Sequence, residues 1–106
     1  MRDIAIVAYQ QTDSVSDVGA VNEVELIMPV LARTFEQAGL KSAQDVDFVC
    51  SGSCDYLQGA AFAFVAGVDA LGAVPPIKES HVEMDAAWAL YESILKIRMG
   101  HADSAL

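Results

Sequence analysis

Three titratable side chains alternate at His81, Glu83 and Asp85 in "ESHVEMDAAWAL", directly ahead of an apolar stretch with helical spacing. An imidazole and two carboxyls set this close together are the groups that move protons in general acid–base chemistry. Along an extended strand end, alternate side chains share a face, so the three would project together. If a helix starts just after them, its unpaired amides and positive dipole end favour developing negative charge at that point. The same residues also have a purely structural use: Asp85 as a first-turn acid and Glu83 as a helix cap. Pattern alone leaves both readings open.

A second candidate is "CSGSCDYLQG" at 50–59, where Ser51, Ser53 and Cys54 follow an apolar strand and can present a hydroxyl or a thiol. It carries no GxSxG elbow, P-loop or GxGxxG, and no histidine lies near it in sequence, so packing or interface duty is the stronger reading. Cys50 and Cys54 are the only cysteines. They are too few for a disulfide framework, and without a second Cys/His pair at ligand spacing no zinc or other metal is expected. Met28, Met84, Met99, Phe62, Phe64 and Trp88 read as fillers of a core or an interface.

The elements that must position these groups alternate between strand and helix. "IAIVA" at 4–8 is a continuous β-prone run, as expected of a strand covered on both faces. "VNEVELIMPVLARTFEQAGL" repeats apolar residues at helical spacing, with Asn22 as cap and Gly39 as terminator. Pro29 must sit in the first turn or kink this helix. "VDFVCSG" at 46–52 reads as a second strand, and 57–71, rich in Ala, Gly and Phe, as one closely packed helix stopped by Gly72. "PPIKESHV" is forced into an extended path. A last helix at 84–99 is expected to bury Ala86, Ala87, Leu90, Ile94 and Ile97, to pair Glu92 with Lys96, and to end at Gly100. "ADSAL" reads as the start of a third strand. The class is therefore α/β, with layered strands and helices.

Composition bounds what such a fold can do. A chain of 106 residues holds one domain at most, yet 54% of it is hydrophobic with a mean hydropathy of +0.35. So short a chain buries only about two-thirds of its surface, so the surplus must be covered by a partner subunit, more chain or a membrane. A membrane span is not expected, because the longest apolar tract, 57–77, carries Gln58 and Asp69 and ends in Pro75 and Pro76. The amino terminus has only a five-residue apolar run, too short for a secretory leader, so a cytoplasmic protein is expected. A formal charge of −9 argues against a nucleic acid partner.

Taken in order, "IAIVAYQQT", "NEVELIMPVLARTFEQAGL", "VDFVCSGSCDYLQG" and "SHVEMDAAWALYESILKIRMGHADSAL" resemble the amino-terminal part of a thiolase-superfamily protein. More narrowly, they are similar to the actinobacterial lipid-transfer-protein or sterol-carrier type of thiolase-like protein, which is acetyl-CoA acetyltransferase-like. The resemblance spans essentially the whole chain and is sharpest in "SGSCDYL", "GAVPPIKESHVEMDAAWALYE" and "GHADSAL". It implies an incomplete thiolase-like βαβαβ layered core, the first half of an amino-terminal domain. It also implies a dimer or larger homo-oligomer, a coenzyme A thioester as substrate with no bound cofactor, an acyl-CoA or sterol-CoA ligand and a possible second protein subunit.

In thiolases the elbow residue is a cysteine in a pattern like C-x-S-G, held at a helix amino end where the dipole favours thiolate. In register, that position falls on Glu83. A carboxylate cannot form the usual acyl-thioester, so the resemblance implies carbon–carbon cleavage or condensation with Glu83 as general base, tuned by His81 and Asp85. The alternatives are a catalytically silent lipid-carrier or scaffold subunit, or Cys50 or Cys54 as a substitute nucleophile. The remaining mechanistic residues of the family belong to a second half not present in these 106 residues, so this chain by itself is expected to be inactive.

Overall fold

Asn22 opens the first element of the computed structural model, which describes residues 2–72 and 78–106. Its side chain accepts from the Glu25 amide while Glu25 reaches back to the Asn22 amide, a reciprocal cap that starts helix α1 (Glu23–Ala38). Gly39, left-handed at φ 71°, closes the helix as expected. Pro29 lies in its interior rather than its first turn.

A single 3-10 turn (Ala43–Asp45) leads to strand β1 (Val49–Ser53), followed by the short helix α2 (Asp55–Gln58), helix α3 (Val65–Leu71), strand β2 (Glu79–Glu83) and helix α4 (Ala86–Arg98). β1 and β2 run parallel with Val49 opposite Glu79, Ser51 opposite His81 and Ser53 opposite Glu83. The expected third-strand start is one parallel bridge, Phe48 to Ala105, flanked by Leu106 N–H donating to the Phe48 carbonyl and Cys50 N–H to that of Leu106. The result is a mixed α/β domain around a small two-stranded parallel sheet.

The two sheet faces differ. Residues of even parity, Phe48, Cys50 and Val82, meet Ala89 and Ile97 of α4 with Ala102 and Ala105, and this is the core. On the odd face, Phe64 stacks on His81, and the α3 glycine Gly67 comes close to Ser51. Val49 and Ser51 there line an apolar recess of about 170 Å³ with Ile27, Leu31, Val68 and Leu71.

Four sequence expectations are corrected. Residues 4–8 form no strand, and Ile6 and Val7 are 73% and 75% exposed, because no neighbouring strand supplies the ladder that an isolated β-prone run needs. The helix expected over 57–71 is two helices, broken where Gly59 turns left-handed and Phe62 follows it at φ 58°. Gly72 does stop α3. The buried side of α4 carries Ala89 and Ser93, while Ala86, Ala87 and Leu90 are exposed. Lys96 does not pair with Glu92; its ammonium lies 5.5 Å from the centre of the Phe48 ring. Pro75 and Pro76 fall outside the described residues.

The surface is large for the mass. The chain exposes 7464 Å² where a folded 11.3 kDa monomer exposes roughly 5,700 Å², an excess of roughly 1,700 Å². Its radius of gyration is 13.9 Å, against about 12.9 Å for a well-packed chain of this length. Among the described residues no large side chain is fully buried, and of the expected fillers Met28, Phe62, Met84, Trp88 and Met99 are all more than half exposed, while Phe64 is half-buried against His81. No described helix is long and apolar enough to cross a membrane.

Candidate functional site at the carboxyl ends of the parallel strands

Gly52 makes the site possible. A Cβ there would lie 2.3 Å from the Asp85 carbonyl oxygen, so only glycine lets the β2–α4 elbow close onto β1. Met84 N–H donates to the Ser53 carbonyl at 3.0 Å and fastens the elbow in that position.

His81 and Glu83 share the odd face of the sheet, as their alternation predicts, and their in-register partners Ser51 and Ser53 stand on the same face. Ser53 Oγ and His81 Nε2 are 2.9 Å apart, and the imidazole is stacked on the Phe64 ring at 4.6 Å between centroids. One carboxylate oxygen of Glu83 accepts from the Asp55 N–H at 2.7 Å. Asp55 in turn accepts from the amides of Phe62 and Ala63 at 2.8 and 3.0 Å, which holds Phe64 in reach of His81. Asp85 leaves the cluster: its carboxylate caps α4 through the amides of Ala87 and Trp88. Of the three sequence candidates, two come together and the third serves the helix.

Ser53, Asp55, Phe64 and Gly52 complete the arrangement. Ser53 was visible as a hydroxyl after a strand, but its proximity to His81 depends on the parallel register, which sequence spacing does not encode. Asp55, Phe64 and Gly52 gave no signal of their own.

The cysteines stand apart. Cys50 faces α4 on the opposite side of the sheet and is buried; that burial, and secondarily the Glu92 carboxylate, push its thiol up from the ordinary value of 9.0. Lys96 and the Ser80 hydroxyl oppose the shift without reversing it. A thiol held protonated and out of solvent is a poor nucleophile. Cys54, half-buried, precedes α2 and makes no side-chain cap bond.

The arrangement can accept a proton on Glu83, whose second oxygen has no partner among the described residues, and can pass one between Ser53 and His81. Among the described residues no group of three His, Cys, Asp or Glu side chains can hold a metal ion. No protein-family model, no curated protein and no solved structure matches the chain.

Proposed function

We propose that the chain is a thiolase-like portion of an enzyme acting on coenzyme A thioesters in lipid or sterol side-chain breakdown, with Glu83 as general base. The observation that carries this reading is the convergence of Ser53, His81 and Glu83 at the carboxyl ends of two parallel strands, where open α/β sheets bind ligands. Sequence resemblance along the whole chain supports the thiolase-like layering.

In a retro-aldol step Glu83 takes the proton of a 3-hydroxyl group, the oxygen forms the carbonyl of a departing aldehyde or ketone, and the C2–C3 bond breaks. Its electron pair passes to the thioester enolate, which the Ser53–His81 pair can stabilise by donating a hydrogen bond and which takes a proton back at C2, from the carboxyl of Glu83, to leave the shortened thioester. The apolar recess of about 170 Å³ falls below the roughly 300–1,000 Å³ of ordinary ligand pockets, so the acyl chain needs wall from beyond these residues.

A non-catalytic carrier or scaffold role is the second reading, favoured by the structural hydrogen bonds that Glu83 and Asp85 already make. An assay of the polypeptide as the cell makes it, with a 3-hydroxyacyl-CoA thioester and with a 3-oxoacyl-CoA thioester plus free coenzyme A as acyl acceptor, separates the two. Release of a shortened thioester is expected; stoichiometric binding without turnover would favour the carrier.

A further inference from the structure

Asp55 touches both halves of the site. Its own N–H donates to Glu83 Oε1 at 2.7 Å. Its carbonyl takes the amides of Gly59 and Ala60 at 2.9 and 3.3 Å, and its two carboxylate oxygens take those of Phe62 and Ala63 at 2.8 and 3.0 Å. Among the described residues no other acceptor binds an amide between Gly59 and Ala63, so this segment hangs on one residue. The segment is not relaxed. Gly59 is left-handed at φ 70°, and Phe62, at 58°, takes the same conformation with a β-carbon that disfavours it. Phe62 is 69% exposed and gains little burial from that turn, so the Asp55 carboxylate is what holds the turn in place. What the turn delivers is Phe64. Its ring stacks on the His81 imidazole at 4.6 Å with 26° between planes, and closes one face of the group whose Nε2 meets Ser53.

We infer that Asp55 is the positioning residue of the site, a latch whose carboxylate pins a strap at residues 59–64 so that Phe64 covers His81. A ring over the imidazole keeps water from one side of the Ser53–His81 pair and restricts the imidazole to one orientation, which a pair that must donate to an enolate requires. The backbone amide and the carboxylate of Asp55 act on different groups, so a change of its side chain releases the cover and leaves the Glu83 contact. Asparagine is the near-isosteric change. It keeps one acceptor oxygen and sets an NH2 against the other strap amide, two donors facing each other. The latch stands without the thioester chemistry; its effect on turnover rests on that reading of the site.

Proton NMR and amide hydrogen exchange of the polypeptide as the cell makes it test the latch. In the wild type the imidazole C–H resonances of His81, assigned by their loss in His81→Gln, are expected upfield under the Phe64 ring current, and the Phe62 and Ala63 amides are expected to be protected from exchange. Phe64→Leu sets the unstacked position of the resonances. Asp55→Asn is expected to move them to that position and to speed exchange of the two strap amides about ten-fold or more, with the amides of α4 unchanged. On a 3-hydroxyacyl-CoA thioester the same variant is expected to lose roughly ten-fold or more in kcat with KM moving less. Strap amides that exchange freely in the wild type, a His81 shift that Asp55→Asn leaves in place, or faster exchange spread equally over α4 would each overturn the latch. A kcat that stays while the shift is lost would overturn the positioning role. A wild type that shows the shift, and loses it in Asp55→Asn, but turns over no thioester supports the latch and sinks the thioester reading alone.

Discussion

One oxygen of Glu83 is tied to the Asp55 amide and the other has no partner among the described residues, so the residue is at once a structural acceptor and a candidate base. Glutamine preserves the first role and removes the second, which makes this position separable by mutation. Gly52 is not separable in that way: Gly52→Ala drives a methyl group into the Asp85 carbonyl, and we expect a loss of about 2–3 kcal/mol or failure to fold, read by urea unfolding. Cys50 gives a pH signature. Its thiol is raised in the folded chain, so below pH 9.0 it is protonated folded or unfolded and has no effect on the pH slope. Above that value the unfolded chain loses the proton more readily, and stability should fall with rising pH, a decline that Cys50→Ala removes.

Capping explains why the ends of α1 were legible from sequence at Asn22 and Gly39, local signals that need no partner element, although Pro29 left the start of the helix open. Strand 4–8 was illegible for the opposite reason, since β-propensity is realised only against a neighbour. Residues 57–71 look uniformly helical, but Asp55 captures the amides of Phe62 and Ala63 and turns the chain before α3 begins. For α4, apolar residues on both sides leave periodicity unable to choose the inner face, and the smaller Ala89 and Ser93 win because the sheet approaches closely. Pro29 breaks the hydrogen-bond ladder in the interior of α1 at an exposed position. Pro29→Ala should therefore raise stability by about 2 kcal/mol, with a matching rise in Tm and helical circular dichroism.

At the scale of the molecule, the sequence's apolar surplus reappears as surface: the outer side of α4, the exposed run at 4–8 and the shallow recess beside β1 all lack cover among the described residues. The pair His81 and Glu83 was legible from alternation, whereas Ser53 and Asp55 became partners only through the parallel pairing that closes the site. Such a site works as chemistry only if its acid is spent on substrate and not on the fold. The direct measurement is turnover of a 3-hydroxyacyl-CoA thioester by the polypeptide as the cell makes it, with and without Glu83→Gln, and with Tm recorded on the same samples. The account predicts a fall in kcat of about 100-fold or more with Tm held, because glutamine keeps the Asp55 hydrogen bond and cannot take the proton. Unchanged kcat, or a loss of activity matched by a loss of Tm, would contradict it.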